Sequence, residues 1–423
     1  MSAFLPGRAR SRPAPAGAAC ARAALLTFAL LAGPAIALDP TEALRLAEQL
    51  NPALRAQQAS ADGARASQGA AAALPDPRLS LGVENLPTSG PDRWSLTRDF
   101  MTMQRLALMQ EVPNAAKRAA RAEAAQARAD RERALLVLQR LQLRQALGTA
   151  WIAVQSAQRG RDLLQALVDE NLQLQRTLPA RIAGGSAAAA ELVMARQEAL
   201  ALADRQDELT RELLKARAAL RRLVGPRGDE PLSGELPLPP VQAEALRARL
   251  HAHAELAAFP AQQALAQAEL REAESESRGD WAWELAYSRR GRQWGDMLSF
   301  QLSFDLPWQR ERRQQPMAAA RQRELERVQL EREEAEQRHR LALEEDLAEL
   351  QSLASQHERL SSLGLPLAQD RLSLALSAYQ SGKSDLGAVL AARAQLLELR
   401  LRQNELQTRQ ALLQLRLNSL AEE

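Results

Sequence analysis

The sequence predicts a mainly α fold with a small β part, built as a tandem duplication in which each half carries a β-hairpin and a very long helix. Three observations predict it. Ala, Leu, Gln, Glu and Arg recur at helical spacing through most of the chain, and aromatic residues make up only 3% of it. Two short regions break that pattern with period-two alternation, clearest over residues 297–308, where Leu298, Phe300, Leu302, Phe304 and Leu306 alternate with Ser299, Gln301, Ser303 and Asp305. Motifs of the first half also recur in the second at a nearly constant shift.

Residues 1–37 carry Arg8, Arg10, Arg12 and Arg22 with no acid, then an apolar run over 23–31, then Ala35-Ile36-Ala37. That order predicts a secretory signal peptide cleaved after Ala37. A lipoprotein signal places its Cys after the apolar run, whereas Cys20 precedes it, so Cys20 leaves with the signal. The mature chain is then expected to have no disulfide, thiolate metal site or lipid anchor. Loss of the four Arg takes Lys+Arg from 55 to 51 against 52 Asp+Glu, a net charge of about −1, which removes the argument for a nucleic-acid partner. Beyond the signal no run approaches the ~20 apolar residues of a transmembrane helix. Membrane insertion, if it occurs, must use strands.

The mature chain opens with a helix start, Asp39 as N-cap and Pro40 at the first helical position, and the helical pattern continues to Leu74 with an interruption at Asn51-Pro52. Pro75-Asp76-Pro77 ends it before the strand RLSLGVEN, which puts Leu79, Leu81 and Val83 on one face. A polar loop leads to MQRLALMQEVP, where Met103, Ala107 and Met109 blur the alternation. After Pro113 a helical pattern runs over 114–181, with Leu143, Leu147, Ala150, Trp151 and Val154 on one face, and Gly184-Gly185-Ser186 breaks it before a second helix over 188–223. Gly225-Pro226 and a Pro-rich stretch close this half.

The second half repeats the first. Glu42-Ala43-Leu44-Arg45 recurs as Glu244-Ala245-Leu246-Arg247, and Leu79, Leu81 and Val83 fall on Trp281, Trp283 and Leu285, with Tyr287 next on that face. Pro113 falls on Pro307, Gly185 on Gly382 and Arg196 on Arg393. The predicted organisation is a signal peptide over 1–37, a first repeat over 38–226, a linker over 227–240 and a second repeat over 241–423. Pro307 is read as the start of the second long helix, running over 309–380 and kinked near Gly364-Leu365-Pro366, as Pro179 kinks the first.

Aromatic placement indicates which solvent the apolar strand faces meet. Phe4 and Phe28 lie in the signal, and nine of the other twelve aromatics fall in the hairpin regions: Trp94, Phe100, Trp281, Trp283, Tyr287, Trp294, Phe300, Phe304 and Trp308. Aromatic-flanked alternating strands are the signature of an outer-membrane β-barrel. Leu79, Leu81, Val83, Trp281, Trp283, Leu285, Tyr287, Leu298, Phe300, Leu302 and Phe304 are the expected lipid-facing set. Helix length adds a constraint, because residues 114–181 at ~1.5 Å each reach about 100 Å and need neighbours along their length. Leu399, Leu406, Leu413 and Leu420 supply one heptad-spaced seam. Four strands cannot close a barrel, since known ones start at about eight, so the chain is expected to oligomerise.

At this point the sequence resembles the TolC-like outer-membrane factor family, the exit ducts of tripartite efflux pumps and type I secretion systems. The resemblance covers nearly all of the mature chain and rests on ALPDPRLSLGVEN before and through the first strand, MQEVPNAAKR and FDLP at strand-to-helix junctions, and the turns RIAGGSAAAAELVMARQEAL and SAYQSGKSDLGAVLAARAQLL. It implies a homotrimer in which four strands per chain make a twelve-stranded barrel in outer-membrane lipid and the helices form a periplasmic α-barrel. It also implies contact with a periplasmic adaptor through Gly184, Gly185, Ser186, Gly382, Lys383 and Ser384, and cooperation with an inner-membrane pump. Glycine is needed there to reverse packed helices through a positive φ. Some members close this end with acidic rings; the matching positions here are Ala388 and Ala391, which leaves Glu191 and Asp385 as gate candidates beside their alternative role at helix starts.

The QE-x-P-x-x-x-KR junction is similar to that of the heavy-metal cation branch. Met101, Met103 and Met109 suggest soft-metal handling but are read as membrane-face residues. His251-Ala-His253 on a helix would point its rings to different faces, so no metal site is assigned, and no cofactor. The preferred function is a passive exit duct for heavy-metal cations or small toxic compounds. The alternatives are a type I protein-secretion duct and, in a different class, a soluble periplasmic coiled-coil scaffold or adaptor. No nucleophile elbow, phosphate loop or HExxH motif supports an enzyme.

Overall fold

The computed structural model describes residues 37–419. The signal-peptide reading, with Cys20, and Leu420 of the heptad seam lie outside them. In chain order the elements are α1 (Pro40–Leu50), α2 (Pro52–Gln68), β1 (Arg78–Glu84), β2 (Met103–Val112), α3 (Ala115–Ala183), α4 (Ala189–Val224), α5 (Ala243–Arg249), α6 (Ala254–Ser275), β3 (Trp281–Arg289), β4 (Met297–Phe304), α7 (Gln314–Arg359), α8 (Leu365–Gln380) and α9 (Leu386–Ser419). Helices dominate, as composition predicts, and the four strands form one antiparallel sheet in the order β1-β2-β3-β4.

The helix starts follow local chemistry. Asp39 caps α1, its Oδ1 accepting from the amides of Thr41 and Glu42, each at 2.9 Å. Asn51 caps α2 through the amide of Leu54 at 2.9 Å, with Pro52 at the first helical position. Asn114 does the same for α3, accepting from the amide of Lys117 at 2.8 Å.

The second long helix corrects the sequence reading. Pro307 does not open it: residues 305–307 are irregular, 308–313 make turns, and α7 starts at Gln314. Pro113 is followed by the capping side chain of Asn114, whereas Pro307 is followed by Trp308, which has no acceptor for the orphan amides and stands 86% exposed. The break expected at Gly364-Leu365-Pro366 takes the form of a widened π turn over Leu360–Gly364 between α7 and α8. Proline lacks an amide hydrogen and crowds the carbonyl four residues back, and a wider turn relieves both. Pro179 lies inside α3.

The largest core cluster joins α1, α3 and α4 around the fully buried Trp151, with Leu143, Leu147, Ala150 and Val154 of the predicted face. In α9, Leu406 and Leu413 pack with Leu353 of α7, while Leu417 packs with Leu343 and Leu246. Of the predicted seam, Leu406 and Leu413 are buried and Leu399 is half-buried. At Gly148 a Cβ would stand 2.6 Å from Cδ2 of Leu415, so glycine lets α3 and α9 approach closely. The segment before α1 is held by residues 231–233, with Leu38 N donating to the Pro231 carbonyl and Ser233 N to the Leu38 carbonyl, both at 2.9 Å.

Candidate functional site

The sheet presents two chemically distinct faces. Its register aligns Leu79, Leu108, Leu285 and Phe300 in one rung and Leu81, Leu106, Tyr287 and Leu298 in the next. Val112, Trp281 and Phe304 form another, beside Gln110, Trp283 and Leu302. Most of these large side chains stand in the open, with Leu81 at 78% and Phe300 at 64% exposure, while Val112 and Trp283 are half-buried. The opposite face carries Ser80, Ala107, Ala286 and Ser299 in one rung and Gly82, Arg105, Ser288 and Met297 in the next, with Ala107, Ala286 and Ser288 buried. Arg105 pairs there with Glu84 at 2.9 Å and with Glu284. An apolar patch this extensive on an otherwise charged protein marks a surface meant for another apolar phase.

Met103 and Met109 correct the sequence reading. Met103 pairs with Glu84, and Met109 with Arg78 and Glu284, so both share the face of Arg105 and not the apolar one. Met101 precedes the strand and is exposed.

Two edges of the sheet are free within the chain, since β1 pairs only with β2 and β4 only with β3. The loops at the far end of the hairpins touch: Phe100 meets Trp294 edge-on at 6.2 Å, and a Cβ on Gly291 would lie 2.0 Å from the carbonyl oxygen of Thr97. At the near end, Asp280 ties sheet to helices. Its Oδ1 accepts from Asn114 N at 2.8 Å and Asn114 Nδ2 at 3.0 Å, and its Oδ2 from Lys117 Nζ at 3.0 Å. Lys117 also pairs with Glu276 at 2.7 Å. Burial opposes both charges, yet these bonds prevail and hold the Asp280 carboxyl below and the Lys117 ammonium above their ordinary ranges. Gly279 lets this junction close, because a Cβ there would sit 1.8 Å from the carbonyl oxygen of Asp305, whose amide donates to the Asp280 carbonyl at 2.8 Å.

About 100 Å away along α3, the two helix-reversing turns sit side by side. Leu178 and Ala195 of α3 and α4 pack against Leu386, Val389 and Leu390 of α9. Both turns use the same backbone device. Gly185 has φ +71° and Gly382 φ +72°. Ser186 N donates to the Arg181 carbonyl and Lys383 N to the Ala378 carbonyl, each at 2.9 Å, which closes two Schellman caps. Gly184 at φ −80° is the α3 C-cap, and Ser384 follows Lys383 in the second turn.

The two acids also lie here. Oε1 of Glu191 accepts from the amide of Ala188 at 3.2 Å, and its Oε2 accepts from the Tyr379 hydroxyl, which bridges the two turns. Burial and the nearby Glu191 push the Tyr379 hydroxyl above its ordinary range, and the Arg181 guanidinium lies 5.4 Å from its ring centroid. Asp385 accepts from the amide of Ala388 at 3.0 Å. Further along the helices, Nδ2 of the buried Asn171 donates to Glu198 at 2.5 Å, and burial raises the Glu198 carboxyl.

No protein-family model matches the sequence, and no curated protein matches it either. Solved structures do match. The chain is similar to the outer membrane protein VceC from Vibrio cholerae, with TM-score 0.75 and 18% identity over 90% of this chain and 95% of that one. It is similar to CusC, whose structures concern folding and transmembrane channel formation, with TM-score 0.72 and 16% identity over 91% and 92%. The open state of the MtrE outer membrane channel of Neisseria gonorrhoeae gives TM-score 0.74 and 16% identity over 90% and 88%. The fold expected from the resemblance to the outer-membrane factors is therefore the fold of this chain.

Proposed function

We propose that this protein is the outer-membrane exit duct of a tripartite efflux pump, a homotrimer whose sheets close into one twelve-stranded barrel. The observation that carries the reading is the sheet: four strands, a free edge on each side, and one face of exposed large apolar side chains. Free edges in a hydrocarbon phase leave backbone groups unsatisfied, so the sheet must close, and three copies reach a size that known barrels have. The similar structures include an outer membrane protein, VceC, a transmembrane channel, CusC, and an outer membrane channel, MtrE, in keeping with this reading. Among the described residues no helix is long and apolar enough to cross a membrane.

The duct supplies a polar wall and a gated end, and needs no catalysis of its own. Glu84, Arg105 and Glu284 provide that wall, and the paired turns at 184–186 and 382–384 are the surface for the periplasmic adaptor, with the pump beyond it. Glu191 and Asp385 stand at that tip, where both hold helix starts. Heavy-metal cations are the cargo we favour, because Met103 and Met109 put thioethers on the polar face, and thioethers suit soft metals. The test is a deletion strain complemented with the wild-type protein or a Met103→Leu/Met109→Leu variant, challenged with soft metals and with hydrophobic drugs. Restored metal tolerance that weakens in the variant supports this cargo; restored drug tolerance alone assigns small toxic compounds instead.

A further inference from the structure

The duplication supplies an internal comparison at the start of α6. The shift that carries Glu42 onto Glu244 carries Asn51, the residue that caps α2, onto His253. His253 makes no side-chain capping bond to α6. Its backbone instead follows a tight turn over Leu250–Ala252 that separates it from His251 and swings its ring toward α7. There it meets His339, with ring centroids 4.5 Å apart and planes tilted by 50°. Glu255, in the first turn of α6, reaches the same place, its Oε2 lying 2.9 Å from Nε2 of His339. Its other oxygen accepts from Arg338 Nη2 at 2.8 Å.

Two features separate this cluster from an ordinary ion pair. One ligand-type atom from each of His253, Glu255 and His339 lies within 4.8 Å of the others. His253 is 7% exposed, and its Nδ1 is buried with no hydrogen-bond partner. A buried polar atom without a partner costs free energy, and an imidazole nitrogen is also a ready lone-pair donor to a metal. Bonds of ~2.0–2.2 Å to a divalent ion set ligand atoms about 3.4 Å apart in a tetrahedron, so small side-chain rotations suffice.

We propose that His253, His339 and Glu255 bind a divalent transition-metal ion of the zinc, copper or nickel class, clamping α6 to α7 in the second repeat. The ion takes the place of the proton shared between Nε2 of His339 and Oε2 of Glu255, and that proton passes to solvent or to Nδ1 of His339. Arg338 keeps Oε1 and orients the carboxylate, and a water completes the coordination. Two imidazoles and one carboxylate select against calcium and magnesium, which prefer oxygen ligands. The clamp is independent of the cargo and of the duct reading.

The test uses the mature full-length protein extracted in detergent and stripped with a chelator, titrated with Zn2+ against a competing chromophoric chelator. The expected result is one Zn2+ per chain with micromolar or tighter affinity. His339→Ala and Glu255→Gln weaken it ~10–100-fold, the scale on which even outer-shell partners act. His251→Ala, at an exposed neighbour, leaves it unchanged. Cu2+ loaded into the unaltered protein should show two nitrogen ligands by electron paramagnetic resonance, a readout that does not depend on any variant folding. No stoichiometric Zn2+ binding, binding indifferent to His339→Ala, or oxygen-only Cu2+ coordination overturns the proposal.

Discussion

Replacing Phe300 by Arg examines the face assignment most sharply. Phe300 stands in the rung of Leu79, Leu108 and Leu285, with further apolar rungs on either side, so it lies well inside the apolar band. An Arg on the lipid face near the bilayer midplane costs ~2–4 kcal/mol. In a trimer the substitution enters three times, for ~6–12 kcal/mol per assembly, or at least about four orders of magnitude in the assembly equilibrium. The neighbouring Gln301→Arg points to the other face, in register with Glu284, and carries no such cost. The assay is the yield of trimer from outer-membrane fractions at matched expression. Phe300→Arg should remove most of it and Gln301→Arg little, and equal yields from the two would refute the face assignment.

Other predictions concern the junction and the helices. Gly279→Ala places a Cβ on the carbonyl of Asp305 and is expected to block folding of the second hairpin, while Gly295→Ala, with nothing within 4 Å of the new atom, is tolerated; outer-membrane yields of the two compare directly. Asp280→Asn should cost ~1–3 kcal/mol by weakening bonds to charged and backbone donors, read from thermal unfolding in detergent. Its pH signature has a definite sign. The folded carboxyl is lowered, so its stabilisation is present above the unfolded value of about 4 and is lost as pH falls through the folded one. The variant should therefore show a flatter acid limb. Glu198 has the opposite sign: burial raises its carboxyl, so ionisation at neutral pH opposes folding, and Glu198→Gln should raise the unfolding temperature at pH 7 and lose that gain in acid. Gly185→Ala and Gly382→Ala force a side chain into positive φ at a cost of ~1–2 kcal/mol each, visible as faster exchange of the amides of Ser186 and Lys383.

Much of the architecture was legible because its signals are local. Leu298 to Phe304 alternate without interruption, and the glycines at 185 and 382 mark the turns by a conformation other residues avoid. The sides of β2 were not legible, since Met103, Ala107 and Met109 are apolar residues on the polar face, and only pairing with β1 and β3 fixes the side. The start of α7 misled because Pro307 copies Pro113 while the capping Asn114 has no counterpart beside it. The His253 cluster was invisible for a longer-range reason. His339 comes from another helix, and the break at 250–253 that frees His253 from the helical face of His251 carries no Gly or Pro to announce it.

The most direct test of the whole account is to fractionate cells expressing the full-length protein and cross-link the detergent extract. The account predicts recovery from the outer membrane as a trimer. Recovery as a soluble periplasmic monomer would contradict it, and would turn the helices into those of a coiled-coil scaffold.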